Sequence, residues 1–180
     1  MPAQTYRTGM WMALVAIVML FASFTSALIV RKGGSSDWAA IALPRILYFN
    51  TLILLASSVA FEISRRALGA GRASQFKIWL KVTSILGVAF IGGQLVAWRE
   101  LASHGVYLST NPSSSFFYLL TAAHGLHLLG GVIALCYLVG QAPRLAAGLK
   151  KRVAVDVTAL YWHFMDGLWI YLLLLLTVRL

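Results

Sequence analysis

Residues 116–131, from Phe116 to Gly131, read FFYLLTAAHGLHLLGG. The stretch has the character of a membrane-spanning helix, yet it carries two histidines, His124 and His127, close to where a bilayer midplane would fall. Ionisable side chains at that depth are costly and mark function by default. They hold a metal or haem, carry protons, or pin helices together.

The composition around this stretch sets the class. The chain has 180 residues, 60% hydrophobic and only 11% charged, with a mean hydropathy of +0.81. A soluble domain carries about 25% charged residues, so this is an integral membrane protein. The net charge of +10 and the pI near 10.3 invite a nucleic-acid reading. That reading fails because the basic residues sit in short loops between apolar runs, where they report orientation. The single Cys136 cannot form an internal disulfide and reads as a packing residue.

Five runs are long enough to cross a hydrocarbon core of about 30 Å, which takes roughly 20 helical residues. They cover about 10–30, 44–63, 77–98, 116–139 and 155–178. None alternates as a barrel strand would, so the expected fold is an all-α membrane bundle of five transmembrane helices formed by residues 1–180 as one unit. The first run starts at Gly9-Met10-Trp11 and stops at Arg31-Lys32. It is longer than the apolar core of a cleavable signal, about 7–15 residues, and is therefore a span. In run two, Pro44 suits a first helical turn. That run ends at Glu62, with Arg65 and Arg66 at helical spacing for an interfacial ion pair. Run three starts with Lys77 and Lys81, whose long side chains can snorkel to the interface. It ends at the anchor Trp98-Arg99, with Gln94 about one turn inside.

Orientation follows from the loops. One side carries Arg7, Arg65, Arg66, Arg72, Lys77, Lys81, Arg144, Lys150, Lys151 and Arg152, ten basic residues, and the other Arg31, Lys32, Arg45, Arg99 and Arg179, five. The richer side is expected to be cytoplasmic, which places the N-terminus inside and the C-terminus in the periplasm.

Run five, antiparallel to run four, carries YWHFMDGLW, in which His163 and Asp166 are again three apart. By helical rise His127 lies roughly 16 Å, and Asp166 about 18 Å, below the outer ends of their helices. A buried carboxylate needs a partner or must be neutral, so Asp166 is expected to hydrogen-bond His163 or a histidine of helix four. Three arrangements fit the residues. A b-type haem would take axial histidines from facing helices, but the two helix-four histidines share a face and a short hairpin leaves little room for a macrocycle. Zinc would want three or four ligands, with no cysteine placed to help. The third is a polar network between helices, and the small residues Gly125, Gly130, Gly131 and Ala134 of helix four, with Gly87, Gly92 and Gly93 of helix three, favour it by allowing close backbone approach.

At these residues the chain resembles subunit III of the haem-copper terminal oxidases in its short five-helix bacterial form. The resemblance rests on FFYLLTAAHGLHLLGG and YWHFMDGLWIYLLL. Weaker support comes from NTLILLASSVAFE, which contains Asn50, Thr51 and Glu62, from the Gln94…Trp98 pattern, and from GMW in run one. It implies an accessory, non-catalytic subunit of the bacterial inner membrane, with no haem, copper or other metal of its own. Those groups would lie in a large catalytic subunit I, where oxygen is reduced and protons are pumped, and phospholipids would line a cleft. His124, His127, Tyr161, Trp162, His163 and Asp166 would form a structural polar motif. The family's usual glutamate in the first core helix is replaced by Ile17, leaving Asp166 as the only acid deep in the bundle. A related subunit of a nitric oxide reductase shares the motifs, and a free-standing b-haem electron-transfer protein is the reading of a different class. A transporter would need broken helices or repeats, which the sequence does not show.

Overall fold

The computed structural model describes residues 3–34, 36–146 and 152–179. It contains five helices, each long and apolar enough to cross a membrane: α1 (Ala3–Gly33), α2 (Ile46–Gly69), α3 (Ala73–Ser103), α4 (Pro112–Ala146) and α5 (Arg152–Arg179). All five expected runs are helical apart from Pro44 and Arg45 at the start of the second, and the helices overshoot them at most ends. The apolar run measures the hydrocarbon core, whereas backbone hydrogen bonding continues until a turn residue stops it. Lys77 and Lys81 accordingly sit one and two turns inside α3. Pro44 stands just ahead of α2 rather than in its first turn, its carbonyl accepting from the Leu47 amide at 3.1 Å. Lys150 and Lys151 lie outside the described residues.

Two glycines stop helices in the same way. Gly71 (φ 72°) and Gly105 (φ 77°) adopt the left-handed conformation. Each lets the following amide reach back over the last turn, Arg72 to the Ala67 carbonyl at 2.9 Å and Val106 to that of Leu101 at 3.1 Å. At its other end α4 is capped by Asn111. Its Oδ1 accepts from the Ser114 amide at 2.8 Å, and Ser114 Oγ in turn accepts from the Asn111 amide at 3.2 Å.

Helices α2, α3, α4 and α5 pack in a ring, each against its neighbours, and α1 lies outside against α5 and α4. The chain ends sort into two sets. The start of α1, the α2–α3 turn and the start of α5 meet at what we term the Arg65 end, where Asp156 faces Arg65 at 3.4 Å and Arg7 at 3.9 Å. At the opposite, Trp98 end, Lys32 Nζ donates to the Arg179 carbonyl at 2.6 Å. There Ser113 also ties the 36–45 segment by donating to the Ala39 carbonyl, and Trp38 packs on Phe116.

The α2–α3 pair is joined by a regular ladder. Asn50 Nδ2 donates to the Phe90 carbonyl (2.9 Å), Ser57 Oγ to that of Thr83 (3.2 Å) and Ser64 Oγ to that of Phe76 (2.9 Å). Donors and acceptors both step by seven residues, about two turns, so one stripe of α2 meets one stripe of α3 throughout. All three donors are buried.

Candidate functional site at the α4–α5 crossing

Helical spacing puts His124 and His127 on one stripe of α4, while Tyr161, Trp162, His163 and Asp166 spread around α5 toward α4 and α2. Trp162 is fully buried and touches three helices. Its Nε1 donates to Ser57 Oγ on α2 at 3.2 Å. Its ring fills a slot made by two glycines: a Cβ on Gly87 of α3 would come within 2.7 Å of the ring, and one on Gly131 of α4 within 3.1 Å. Tyr161 supplies the direct α5–α4 bond of the motif, its hydroxyl donating to the His127 carbonyl at 2.8 Å.

His124 is enclosed by aromatic rings, edge-on to Phe90 (centroids 6.2 Å) and tilted over Trp169 (5.1 Å). Trp169 Nε1 in turn donates to Thr51 Oγ1 at 2.9 Å, so α2, α3, α4 and α5 all meet here. Neither ring nitrogen of His124 has a protein partner. His127 bonds through Nδ1 to the Ala123 carbonyl of its own helix at 2.7 Å, and Phe21 of α1 packs against it. His163 turns to α2, with Nδ1 2.5 Å from Ser58 Oγ and Nε2 3.9 Å from Glu62 Oε2.

The expected hydrogen bond between Asp166 and a histidine is not formed. Asp166 is buried and lies beside Ser58. The Ser58 hydroxyl is engaged with His163, and neither Asp166 oxygen meets hydrogen-bond geometry with any described protein group. His163, on the same helix as Asp166, is taken up by Ser58; for the helix-four histidines the reason is directional. Side chains lean toward the N-terminus of their own helix, so on antiparallel helices residues at matching depth lean apart. His124 and His127 lean to the Trp98 end, and His163 and Asp166 to the Arg65 end. The helix-four histidines and His163 accordingly engage different neighbours, His127 the Ala123 carbonyl of α4 and His163 the Ser58 hydroxyl of α2. Among the described residues no three His, Cys, Asp or Glu side chains gather as metal ligands do.

The remaining expected positions serve the helix contacts. Asn50 belongs to the ladder, and its Oδ1 lies against Gly93, where a Cβ would fall 2.2 Å away. Thr51 accepts from Trp169 and donates to the Leu47 carbonyl. Glu62 forms the anticipated ion pairs, with Arg65 and Arg66 both at 2.8 Å. Trp98 Nε1 donates to Thr121 Oγ1 at 3.2 Å. Gln94 is buried with no protein partner for its amide. Ile17 lies in the apolar core, 8% exposed. The sequence reading missed Ser57, Ser58, Ser64, Phe90 and Trp169. Only the seven-residue spacing of Asn50, Ser57 and Ser64 could have pointed to two of them, Ser57 and Ser64.

Comparison with known proteins accords with this geometry. The family described as cytochrome c oxidase subunit III matches residues 3–178. A probable cytochrome c oxidase subunit 3 of Mycobacterium tuberculosis is 32% identical over 170 residues, covering 92% of this chain and 82% of the relative. The cytochrome bo(3) ubiquinol oxidase subunit 3 of Pseudomonas aeruginosa is 32% identical over 166 residues, 90% and 79% of the two chains. The cytochrome c oxidase subunit 3 of Thermostichus vulcanus is 28% identical over 174 residues, 94% and 85%. With a match across almost its whole length, the chain belongs to the cytochrome c oxidase subunit III family.

Proposed function

We propose that this subunit of a bacterial haem-copper terminal oxidase is an accessory, non-catalytic transmembrane bundle formed by the whole chain. It docks on the large subunit that carries the haems and copper, and it stabilises that subunit while oxygen reduction is coupled to proton translocation. The observation that carries this reading is the use made of the motif. Tyr161 and Trp162, with Trp169 beyond them, direct their polar atoms to neighbouring helices rather than into a cavity. The loop charges support an N-terminus in the cytoplasm and a C-terminus in the periplasm. Phospholipid is the expected companion at the Arg65 end. There, an apolar recess of about 510 Å³ is walled by Tyr137, Leu138, Leu145, Val153 and Val157.

An affinity-tagged chain drawn from native membranes in mild detergent tests the reading. It is expected to bring down the haem- and copper-bearing subunit with oxygen-reducing activity, while the isolated polypeptide shows no Soret band of its own. A nitric oxide reductase in the same fraction, or a haem held by this chain, would replace the proposal. The relatives' names include a cytochrome c and a ubiquinol oxidase, so the electron donor is decided by which of the two the co-purified complex oxidises.

A further inference from the structure

Hydrogen bonds tie the helices of the ring to one another unevenly. The ladder joins α2 to α3, two tryptophans and His163 join α5 to α2, and Tyr161 joins α5 to α4. Between α3 and α4, the hydrogen bonds among the described residues all lie at the Trp98 end. Trp98 Nε1 donates to Thr121 Oγ1 at 3.2 Å, and the Tyr118 hydroxyl to the Trp98 carbonyl at 3.4 Å. Deeper in the span, these two helices carry polar side chains that are buried and have no partner among the described residues. They are Gln94 on α3, 5% exposed, and His124 on α4, fully enclosed. Register brings them together. Thr121 meets Trp98, and Val132 meets Gly87, whose Cβ would fall 3.3 Å from it. Gly125 stands four residues on from Thr121 and seven back from Val132. Gln94 stands four back from Trp98 and seven on from Gly87. On antiparallel helices of equal rise, Gly125 and Gln94 are therefore opposite each other. His124 adjoins Gly125 in the chain, and its ring touches Phe90, one turn from Gln94.

The partly buried Gly125 leaves room at this crossing, since a Cβ built on it would meet nothing within 4 Å. The protein groups nearby do not supply the missing bonds. Phe90 and Trp169 turn their rings to His124, and the Trp169 N–H is taken by Thr51. The Thr121 hydroxyl donates to the Phe117 carbonyl. Asn50 Oδ1, a further buried atom without a protein partner, is closed off by Gly93, whose Cβ would fall 2.2 Å from it. Within a membrane an unsatisfied amide or imidazole is costly. An amide offers donors and an acceptor, and a neutral imidazole one of each. Together they match the two to four polar contacts that an internal water makes. We propose that ordered water is bound between Gln94, His124 and Gly125, bridging the Gln94 amide to the His124 imidazole. The bridge gives α3 and α4 the polar tie inside the span that the other neighbouring pairs of the ring make directly. It belongs to this chain alone and does not depend on which large subunit the chain accompanies.

Electron cryo-microscopy of the complex purified through this chain, at a resolution that shows ordered water, tests the site directly. Density is expected within hydrogen-bonding distance of both the Gln94 amide and the His124 ring. No density there, density touching only one of the two, or a direct Gln94–His124 bond would overturn the proposal. The second measurement is a double-mutant cycle, read by denaturant titration of the full chain in micelles. Gln94→Leu and His124→Phe each remove one side of the bridge and strand the other. Each should lower the folding equilibrium constant about tenfold. The double variant should fall no further than the weaker single, because no polar group is left to satisfy. Singles that match the parent, or a double variant lowered by the product of the two, about a hundredfold, would count decisively against the bridge.

Discussion

The two antiparallel pairs α2–α3 and α4–α5 are held by different balances of hydrogen bonding and shape. Between α2 and α3, small side chains at Asn50, Ser57 and Ser64 donate to backbone carbonyls at even spacing, and all three donor groups are satisfied. Around α4 and α5 the contact is made by large rings. Trp162 is keyed between Gly87 and Gly131, and Trp169 packs on His124 and Phe90. Both tryptophans then donate to the neighbouring α2. The ionisable residues that dominate the sequence motif, His124 and Asp166, make no protein hydrogen bond with their side chains. Cost of burial is therefore a poor guide to which residue joins two helices. At α2–α3 the joining is done by backbone acceptors, and at α4–α5 mainly by shape, with the Tyr161 hydroxyl bond to the His127 carbonyl beside it.

If that contrast is right, the largest loss comes from the ring in the glycine slot. Trp162→Ala should cost about 4 kcal/mol, the usual magnitude for emptying a buried aromatic site. Denaturant titration of the full chain in micelles measures it, and His124→Ala should cost less than Trp162→Ala. Comparable losses for the two would restore the histidine to the centre of the site. Filling the slot from the other side is the complementary change. Gly87→Val places a carbon where the Trp162 ring stands and should cost about 2 kcal/mol by overpacking. Gly92→Val, whose Cβ would meet nothing within 4 Å, should leave stability almost unchanged in the same titration.

The ladder predicts smaller, additive effects. Ser64→Ala should cost about 0.6 kcal/mol, the average for a hydrogen bond between membrane helices. Ser57→Ala should cost more, because Ser57 also accepts from Trp162. Asn50, at the far rung, is distant enough from Ser64 for the double change to equal the sum of the singles. A double-mutant cycle showing strong coupling between rungs 50 and 64 would mean that the pair opens as a zipper rather than rung by rung.

These effects also mark what the sequence could convey. The five spans were legible because apolar length is imposed by the bilayer, and the Glu62 pairs because three- and four-residue spacing is a property of any helix. Helix ends were less legible, since Pro44 and Lys77 fall where the apolar run ends and not where the hydrogen bonding does. The ladder was hidden because its acceptors are the carbonyls of Phe90, Thr83 and Phe76, groups that every residue possesses. Matching depth along two backbones suggests a bond from Asp166 to a helix-four histidine, and the opposite lean of side chains on antiparallel helices prevents it. The bond to His163 fails for a different reason, since that imidazole is taken up by Ser58, a partner the sequence does not single out.

The smallest predicted effect separates the two accounts of Asp166. Were it the partner of a histidine, Asp166→Asn would be tolerated and Asp166→Leu would strand the other half of a hydrogen bond, at about 1–3 kcal/mol. In the structure His163 is held by Ser58, His127 by its own helix and His124 by aromatic rings, so no histidine is stranded when Asp166 is lost. Asp166→Asn and Asp166→Leu should then both fold within about 0.5 kcal/mol of the parent, because removing a buried polar group without a partner is close to neutral. Denaturant titration of the two variants beside the parent measures this. A deficit of about 2 kcal/mol confined to the leucine variant would show that Asp166 does bond a neighbour, with Ser58 the first to examine. Ser58→Ala would then reproduce the same deficit, and combining it with Asp166→Leu would add nothing further.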